Sequence, residues 1–251
     1  MATSDAEVRA KVDSVRVWYH RIPLRPEIVT PGINDPAQTL RHLDIPDDCR
    51  GLRVLDLGAR DGYFSFELER RGAEVVAVDY VPADQTGFAT VAEILGSQVR
   101  YQQANIYSLD PAAIGTFDIV LFLGLLYHLP DPLRAIEIVR SLCHGQLCLE
   151  THSIDKGVLL PNGTKKALQE LSPLLLDVPL MQFYPGRTLS GDPTNYWGPN
   201  LSCLVGMLEE CRFRVKSHTL TADRAIVNAE AVEDREREYL LKLARGLRDR
   251  A

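Results

Sequence analysis

Two patterns of apolar and polar residues alternate along this chain. Short, nearly continuous apolar runs are typical of strands that are buried on both faces, and amphipathic segments of helical length separate them. The runs that predict strands fall near residues 52–57, 74–79, 99–104, 117–123 and 146–151. Strands that alternate with helices in this way predict a parallel βαβ sheet.

The segments on either side of these strands depart from the alternation. An amphipathic helix is predicted at about residues 5–17, and a proline-punctuated loop leads from it to a short helix that starts near Asp35. Residues 153–199 are rich in proline, glycine and aromatic residues, and they predict one helix near 165–171 but no clear strand. This stretch is therefore expected to be an insertion in the sheet fold.

Regular structure is predicted to resume after the insertion. A helix is expected at 200–211, and two strands near 213–220 and 224–232 complete the sheet. The fold class is therefore α/β: a Rossmann-like, doubly wound, mostly parallel seven-stranded sheet in a single domain, residues 1–251. Residues 1–48 are predicted to form an N-terminal helical extension and residues 49–152 the cofactor-binding half. Residues 153–199 are the insertion that caps the substrate, and residues 200–251 contain a C-terminal helix, two strands and a final helix.

A glycine turn follows the first predicted strand. The sequence Asp-Leu-Gly-Ala-Arg-Asp-Gly at residues 56–62 places Gly58 and Gly62 where the backbone must approach a ligand closely. Asp79 ends the second strand, where a carboxylate can take both ribose hydroxyls of a nucleoside. Arg60 stands where a dinucleotide fingerprint has its middle glycine, which argues against a pyrophosphate cradle. The pattern indicates an adenosine ligand without phosphates.

Composition narrows the classes of partner. The 251 residues are 45% hydrophobic, enough for one substantial core, and the formal net charge is −6, with no basic cluster of the kind that binds nucleic acid. No apolar run approaches the roughly 20 residues of a membrane span. The N-terminus lacks the features of a secretory signal, and the five cysteines are scattered, so a cytoplasmic protein with reduced thiols and no metal site is expected.

The glycine turn resembles the first motif of class I S-adenosylmethionine-dependent methyltransferases. The resemblance implies S-adenosylmethionine as cofactor and S-adenosylhomocysteine as product, with the loop under the methionine moiety and the acid after the second strand on the ribose. Asp61 either caps the following helix or accepts the methionine ammonium. The cofactor-binding residues that we predict are Asp56, Gly58, Ala59, Arg60, Gly62, Asp79, Tyr80, Asn105, Ile106, Leu123, Gly124 and Tyr127.

A closer resemblance covers roughly residues 18–218. The run at 117–133, which contains Gly-Leu-Leu-Tyr-His-Leu-Pro-Asp-Pro-Leu, and the Leu-Glu-Thr at 149–151 are similar to the family of the tRNA wobble-uridine carboxymethyl-transfer (oxyacetic acid) methyltransferase. In that family a lysine of a Trp-x-Lys motif holds a carboxylated cofactor, whereas this chain has Trp-Tyr-His at 18–20. Without that cation, plain S-adenosylmethionine is expected. Residues 191–200 resemble relatives that act on small molecules, often glycosides.

Methyl transfer to a hydroxyl benefits from a general base. His152, beside Glu150 at the end of the fifth strand, is the first candidate, because histidine titrates near working pH; His20 is second and His128 third. The alternative for each histidine is a structural, hydrogen-bonded role. Glu150 could orient the base, bind a substrate hydroxyl or join a metal site, and no sequence pattern selects among these.

Aromatic and amide side chains near the predicted site could bind a sugar or another ring. Several of them could instead close the core beneath the insertion. The residues that we predict to bind substrate are Trp18, His128, Tyr196, Trp197 and Asn200, with Tyr19, Tyr184 and Asn195 as further members of the same wall.

Three functions compete. The first is O-methylation of a small-molecule hydroxyl, in a glycoside or natural product, and the second is modification of a tRNA wobble base. The third is a non-catalytic module that retains the nucleoside fold, against which the intact glycine-turn motif argues. The partners expected are a small-molecule acceptor, with neither nucleic acid nor membrane; the sequence leaves open a homodimer, a metal requirement and the acceptor's identity.

Overall fold

The computed structural model describes residues 4–244 and Gly246. The chain separates into two compact units, Met1–Leu121 and Phe122–Ala251. The elements of the first unit, with β6 crossing its boundary, are α1 (Asp5–Ser14), β1 (Pro23–Arg25), β2 (Ile28–Val29), α2 (Pro36–Leu40), β3 (Arg53–Leu57), α3 (Tyr63–Arg70), β4 (Glu74–Asp79), α4 (Phe88–Leu95), β5 (Arg100–Gln103), α5 (Pro111–Ile114) and β6 (Phe117–Leu123).

The second unit continues from the end of β6. Its elements are α6 (Pro132–Leu142), β7 (Cys143–His152), β8 (Val158–Leu159), β9 (Lys165–Lys166), α7 (Leu168–Leu171), β10 (Met181–Phe183), β11 (Trp197–Pro199), α8 (Leu201–Glu210), β12 (Phe213–Leu220), β13 (Arg224–Ala231) and α9 (Arg235–Ala244). Among the described residues of α9 none is buried, in agreement with the solvated helix face that the alternating charges predict; Arg245 and residues 247–251 lie outside the described part.

The central sheet has seven strands in the order β12-β13-β7-β6-β3-β4-β5. β3 pairs with β4 and β4 with β5 in parallel, whereas β13 runs antiparallel to both β7 and β12. The residues of β3, β4 and β6 are almost all buried, because strands inside a parallel sheet are covered on both faces. The predicted Rossmann-like fold class is confirmed, and the predicted strand bounds differ from these by a few residues at most.

Three short sequences of Asp followed by Pro start helices. Asp35, Asp110 and Asp131 are the N-caps of α2, α5 and α6, and each accepts a hydrogen bond from a backbone N–H of the first turn. Proline follows directly, since its missing N–H and fixed φ suit the first helical position. These caps fix where the connections end and the helices begin.

The N-terminal extension is part of the first unit's core. Val8 and Val12 of α1 are buried with Trp18, whose indole N–H donates to the Val12 carbonyl at 3.0 Å. A Cβ at Gly87 would lie 2.1 Å from the Trp18 ring, so the start of α4 packs directly against it. Trp18 therefore packs in the core of the first unit, and its contact with substrate stays a prediction. The helix α1 also ends at Ser14, three residues earlier than predicted.

The insertion in the second unit contains strands that the sequence did not predict. β8 pairs with β9, and β10 with β11, in two small antiparallel ribbons. Strands of two or three residues are too short to show a period in the sequence, which is why the prediction of no clear strand is wrong. The segment has a core of its own, formed by Ile154, Leu168, Tyr184 and Leu189.

Within the described part of the chain, no helix combines the length and the apolarity needed to cross a membrane.

Candidate active site

The glycine turn after β3 has a left-handed backbone at three positions. Gly58, Arg60 and Gly62 have φ values of 77°, 52° and 88°. The N–H groups of Gly58 and Arg60 donate to the end of β4, at the Val78 carbonyl (2.8 Å) and the Asp79 carboxylate (3.0 Å). Arginine takes the left-handed conformation where a middle glycine would be usual, so the turn closes without it.

Asp79 fits the ribose of an adenosine cofactor. Its carboxylate is 6% exposed, and its two oxygens each accept one backbone N–H, from Arg60 and from Val81, at 3.0 Å. A carboxylate has about four acceptor positions, so both oxygens keep capacity for a hydroxyl donor. Tyr80 beside it is 71% exposed and Ile106 is buried, so an aromatic and an aliphatic side chain are present for an adenine ring.

Asn105 and Asp56 have local partners. The Asn105 side chain accepts from the Tyr107 N–H and so opens a short helical turn at the end of β5. Asp56 is 2% exposed and accepts from the Ser65 hydroxyl at 2.6 Å, and burial raises its pKa to about 6. Asp56 thus ties α3 to β3, and its contact with cofactor stays a prediction.

Asp61 anchors the N-terminal extension to the turn. One carboxylate oxygen accepts from the N–H groups of Tyr19 (2.7 Å) and His20 (2.8 Å), and the other accepts from Gly87 at 3.0 Å. Asp61 is 0% exposed, and the following helix, capped by Gly62, has no side-chain cap. The predicted helix-cap role is wrong, and three backbone donors surround this carboxylate instead.

His20 is a buried, neutral histidine. It is 6% exposed, its Nδ1 has no hydrogen-bond partner among the described residues, and aromatic rings of Tyr63 and Phe64 lie 6.5 and 6.2 Å away. Burial lowers its pKa to about 4, against the opposing effect of Asp61. His20 therefore offers no positive charge at neutral pH.

In the second unit, Glu150 and Gly124 form a close pair. The Gly124 N–H donates to the Glu150 carbonyl at 2.9 Å, and Gly124 has a φ of 66°. The Glu150 carboxylate is nearly buried, and its Oε1 lies 3.4 Å from Nε of Arg224. Burial raises the pKa of Glu150, and Arg224 opposes that shift. Arg224 also covers the Tyr127 ring, with 4.9 Å from the guanidinium carbon to the ring centroid.

Arg224 was missed by sequence reasoning. It is the first residue of β13 and stands directly opposite His152 of β7 in the antiparallel register. A lone arginine at the start of an otherwise buried strand is a signal that the sequence contains, but only the register shows that it meets Glu150.

His152 is held by Tyr184. Its Nε2 lies 3.0 Å from the Tyr184 hydroxyl, and the two residues are 4% and 1% exposed. A Cβ at Gly198 would lie 2.8 Å from that hydroxyl and 3.0 Å from the imidazole, so only glycine leaves room for the pair. Burial, with help from Arg224, lowers the pKa of His152 to about 4. His152 is thus neutral, as a base must be, with one ring nitrogen occupied.

Asn200 has a structural role. It is 0% exposed, and its Oδ1 accepts from the N–H groups of Cys203 and Leu180 while its Nδ2 donates to the carbonyls of Leu175 and Val178. The amide caps α8 and ties it to the strand β10 region, and no hydrogen-bonding position is left for a substrate.

Tyr196, Trp197 and His128 remain available as half-buried side chains. Trp197 packs on Phe183 with 5.0 Å between ring centroids, and His128 lies 4.1 Å from the Tyr127 ring. Asn195 is buried; its amide donates to the Leu189 carbonyl, and its Oδ1 has no partner in the described part of the chain. No cluster of three metal-ligating side chains occurs among the described residues.

The fold combines a seven-stranded α/β sheet, a left-handed turn after β3 and a buried acid at the end of the neighbouring strand β4. These features are typical of the methyltransferase class that binds a nucleoside cofactor. A methyltransferase-domain family matches residues 32–192, and the chain belongs to that family. Solved structures that share this fold carry S-adenosylmethionine or S-adenosylhomocysteine, and the acceptor positions of Asp79 and the glycine turn fit that cofactor.

Curated relatives differ in their acceptors. The chain is 34% identical over 183 residues to a tRNA U34 carboxymethyltransferase of Dichelobacter nodosus. The aligned region covers 70% of this chain and 50% of that protein. It is 36% identical over 107 residues to a ubiquinone biosynthesis O-methyltransferase of Xanthomonas axonopodis pv. citri, over 40% of this chain and 43% of that one. The chain thus spans half or less of these relatives, and the acceptor does not follow from them.

A solved structure shares the fold over nearly the whole chain. The N-terminal domain of EvdMO1 with S-adenosylhomocysteine bound has a TM-score of 0.64 and 20% identity, and it covers 92% of this chain and 98% of that domain.

Because two buried histidines are neutral in the folded protein, we expect its free energy of unfolding to decrease at acidic pH. His20 and His152 have pKa values of about 4 in the folded protein and 6.5 when unfolded. Between these values the unfolded chain binds more protons, so the free energy of unfolding falls as pH drops from 6.5 towards 4, by about 2 kcal/mol per histidine. Urea unfolding at pH 7.5 and 5.0 measures this loss.

The matched variants are His20→Asn and His218→Asn, since His218 lies on an exposed face of β12. We expect the difference in unfolding free energy between the two pH values to shrink in His20→Asn and to stay at the wild-type value in His218→Asn. Equal pH dependence in all three proteins would contradict the assignment.

Proposed function

We propose that this enzyme transfers the methyl group of S-adenosylmethionine to a hydroxyl of a small-molecule acceptor, with a sugar or glycoside as the first class to test. The observation that carries the proposal is a group of neutral imidazoles and aromatic rings in the second unit. The imidazoles are those of His128 and His152, and the rings are those of Tyr127, which is buried, and of Tyr196 and Trp197, which are half-buried. Rings of this kind stack on the faces of sugars, and a neutral imidazole accepts a hydroxyl proton.

The methyl group and the hydroxyl proton are both accounted for in this transfer. The cofactor, when bound, supplies a methyl group on a sulfonium. As the acceptor oxygen forms its bond to that carbon and the carbon–sulfur bond breaks, the hydroxyl proton passes to a neutral imidazole. The products are a methyl ether and S-adenosylhomocysteine, and the imidazolium then loses its proton to water.

Two further observations support a small acceptor. The formal net charge of −6 opposes binding to a phosphate backbone. The N-terminal domain of EvdMO1, whose fold this chain shares with a TM-score of 0.63, has also been solved in the presence of S-adenosylhomocysteine and D-fucose. The sugar belongs to that other protein's structure, and it makes D-fucose a sensible first acceptor to test.

The state of His20 supports plain S-adenosylmethionine over a carboxylated form. A carboxylate on the cofactor needs a cation or several donors, and His20 is buried and neutral with a pKa of about 4. Calorimetric titration with S-adenosylmethionine, S-adenosylhomocysteine and the carboxylated analogue tests this. We expect the two plain ligands to bind and the carboxylated one to bind at least about tenfold more weakly.

A second candidate function is modification of a tRNA wobble base. It is favoured by the similarity to the Dichelobacter nodosus enzyme, which extends over 70% of this chain. Stronger binding of the carboxylated analogue would favour it.

Transfer of labelled methyl decides between the two functions. The enzyme is incubated with tritiated S-adenosylmethionine and either the methyl glycosides of D-fucose and D-glucose, a plant and bacterial glycoside extract, or total tRNA. We expect label in a glycoside fraction as a methyl ether and none in tRNA. Label in tRNA alone would overturn the proposal.

A further inference from the structure

We propose that His128 is the general base of this transfer and that Thr194 and Asp192 position its ring. The proposal rests on the hydroxyl methylation proposed above. It changes the order of the candidate bases, since the sequence places His152 first, and it adds two residues of the insertion that the sequence did not single out.

The contacts of His128 fix its tautomer. Its Nδ1 lies 3.2 Å from the carbonyl oxygen of Thr194 and 2.9 Å from the hydroxyl oxygen of the same residue. A carbonyl oxygen only accepts, so the neutral ring carries its hydrogen on Nδ1 and donates it to Thr194. The lone pair is therefore on Nε2, the nitrogen that a general base needs.

The Nε2 of His128 is available to an acceptor. None of its hydrogen bonds within the described part of the chain involves this nitrogen, and the residue is half-buried rather than enclosed. The Tyr127 ring packs on the imidazole with 4.1 Å between centroids and limits its rotation. The base nitrogen thus has a fixed direction and makes none of the hydrogen bonds of His128 in the described part of the chain.

A hydrogen-bonded chain continues behind the ring to a carboxylate. The Thr194 hydroxyl donates to Asp192 Oδ1 at 2.7 Å, and the Thr194 N–H donates to the same oxygen at 2.8 Å. With its hydrogen turned to Asp192, the hydroxyl presents a lone pair to Nδ1–H of His128. These bonds lower the pKa of Asp192, so the carboxylate is ionised and stabilises the imidazolium that forms.

The environment of His152 is less suited to the same task. His152 is 4% exposed, and its Nε2 is already engaged by the Tyr184 hydroxyl at 3.0 Å. That pair is enclosed by Gly198, where even a Cβ would lie 2.8 Å from the hydroxyl oxygen. His152 and Tyr184 therefore support the wall of the site, and His128 is the histidine that a substrate hydroxyl can reach.

The charges around His128 determine how its activity depends on pH. Burial has the largest effect on the pKa of His128 and lowers it. The hydrogen bond with Thr194 and the Asp192 carboxylate of the insertion raise this pKa, and Arg224 of β13 lowers it. The ring of Tyr127, a further titratable residue, packs against the imidazole. The ring is neutral at pH 7, and kcat falls at acidic pH as His128 takes up a proton. If Asp192 loses its charge, the pKa of His128 falls, so this acidic limb moves to lower pH.

The transfer step is balanced at named atoms. The acceptor O–H donates its proton to His128 Nε2 as the oxygen–carbon bond forms and the carbon–sulfur bond breaks. The Nδ1 hydrogen stays with Thr194 throughout, and the ring returns to neutral by releasing the Nε2 proton to water.

The tautomer is tested without any substrate. Long-range proton–nitrogen correlation spectra of the ¹⁵N-labelled enzyme report which nitrogen of each imidazole carries hydrogen, and His128→Asn identifies the His128 signals by their loss. We expect the Nδ1–H form, with a protonated Nε2 appearing only at acidic pH. An Nε2–H form at pH 7.5 would overturn the proposal.

Kinetics with the methyl glycosides and labelled cofactor test the base. His128→Asn is expected to lower kcat by about 100-fold or more, with S-adenosylhomocysteine affinity within about twofold of wild type. His218→Asn, on the exposed face of β12, is the control and should match wild type. A kcat for His128→Asn within about threefold of wild type would exclude His128 as the base.

Variants of Asp192 and Thr194 test whether these residues position the ring. Their readouts are the pH dependence of kcat and the change in kcat relative to KM, which a merely structural role would not change. Asp192→Asn keeps an acceptor for Thr194 but removes the charge, and we expect its acidic limb to move down by about half a pH unit. Thr194→Val should lower kcat more than KM changes, and Thr194→Ser should restore it. An unchanged acidic limb in Asp192→Asn would remove Asp192 from the proposal.

The failures are distinguishable. If wild-type enzyme labels a glycoside and His128→Asn does so equally well, the assignment of the base is wrong and the proposed function stands. If wild-type enzyme labels tRNA and no glycoside, the proposed function is wrong and the base assignment falls with it.

Discussion

Replacing Asp79 by alanine is expected to weaken S-adenosylhomocysteine binding about 10- to 150-fold, the loss that corresponds to about 1.5–3 kcal/mol for a charge-assisted hydrogen bond. The carboxylate is buried at the end of β4 and keeps an acceptor position on each oxygen. The variant also removes the acceptor for the Arg60 N–H at 3.0 Å, so the glycine turn loses a hydrogen bond that holds it closed. Both effects act on the same ligand.

Isothermal titration with S-adenosylhomocysteine measures this change. Asp84→Ala is the matched control, because Asp84 is an exposed acid in the same loop. Its affinity should equal that of wild type, and thermal unfolding shows that both variants are folded. If Asp79→Ala binds S-adenosylhomocysteine with wild-type affinity, Asp79 does not bind the ribose.

Replacing Asn200 by alanine is expected to lower the free energy of unfolding by about 3–5 kcal/mol. The side chain is 0% exposed and makes four hydrogen bonds, two as acceptor and two as donor. Alanine would leave four partly buried N–H and C=O groups without these partners. A fully buried group left this way costs about 1–3 kcal/mol, and water recovers part of that cost here. The loss of the α8 N-cap is included in this sum.

Urea unfolding followed by circular dichroism gives the value. Asn162→Ala, which changes an exposed asparagine in a turn of the neighbouring insertion, should cost less than about 1 kcal/mol. A cost for Asn200→Ala no larger than for Asn162→Ala would show that the amide network is dispensable.

The sheet could be predicted because the apolar composition of its strands indicates that they are buried. β3, β4 and β6 are apolar along almost their whole length, because the side chains on both faces of a covered strand are buried. Asp79 was found for the same reason: it is the first charged residue after a buried run, where the strand must end. The insertion gave no such signal, since its stability depends on side-chain pairs distant in sequence, such as His152 with Tyr184.

The polar residues of the site were harder to assign for a physical reason. The sequence shows that a residue can hydrogen-bond, but not whether its bonds are already made. Asn200 and Asp61 lie in the predicted regions and are fully enclosed by backbone partners, whereas Thr194 and Asp192 look like an ordinary turn until His128 is placed beside them. Trp18 was assigned to a substrate wall, yet α1 and α4 cover it.

The carboxylate of Asp61 sets the minimum length of chain that can fold as the first unit. Two of the three N–H groups that surround it come from Tyr19 and His20, which precede the family match at residues 32–192. A protein shortened to that match would leave the buried side chain of Asp61 with only one of its three backbone donors, that of Gly87. The segment that carries Tyr19 and His20 is therefore packed against the glycine turn, and any graft or fusion of this domain has to include it.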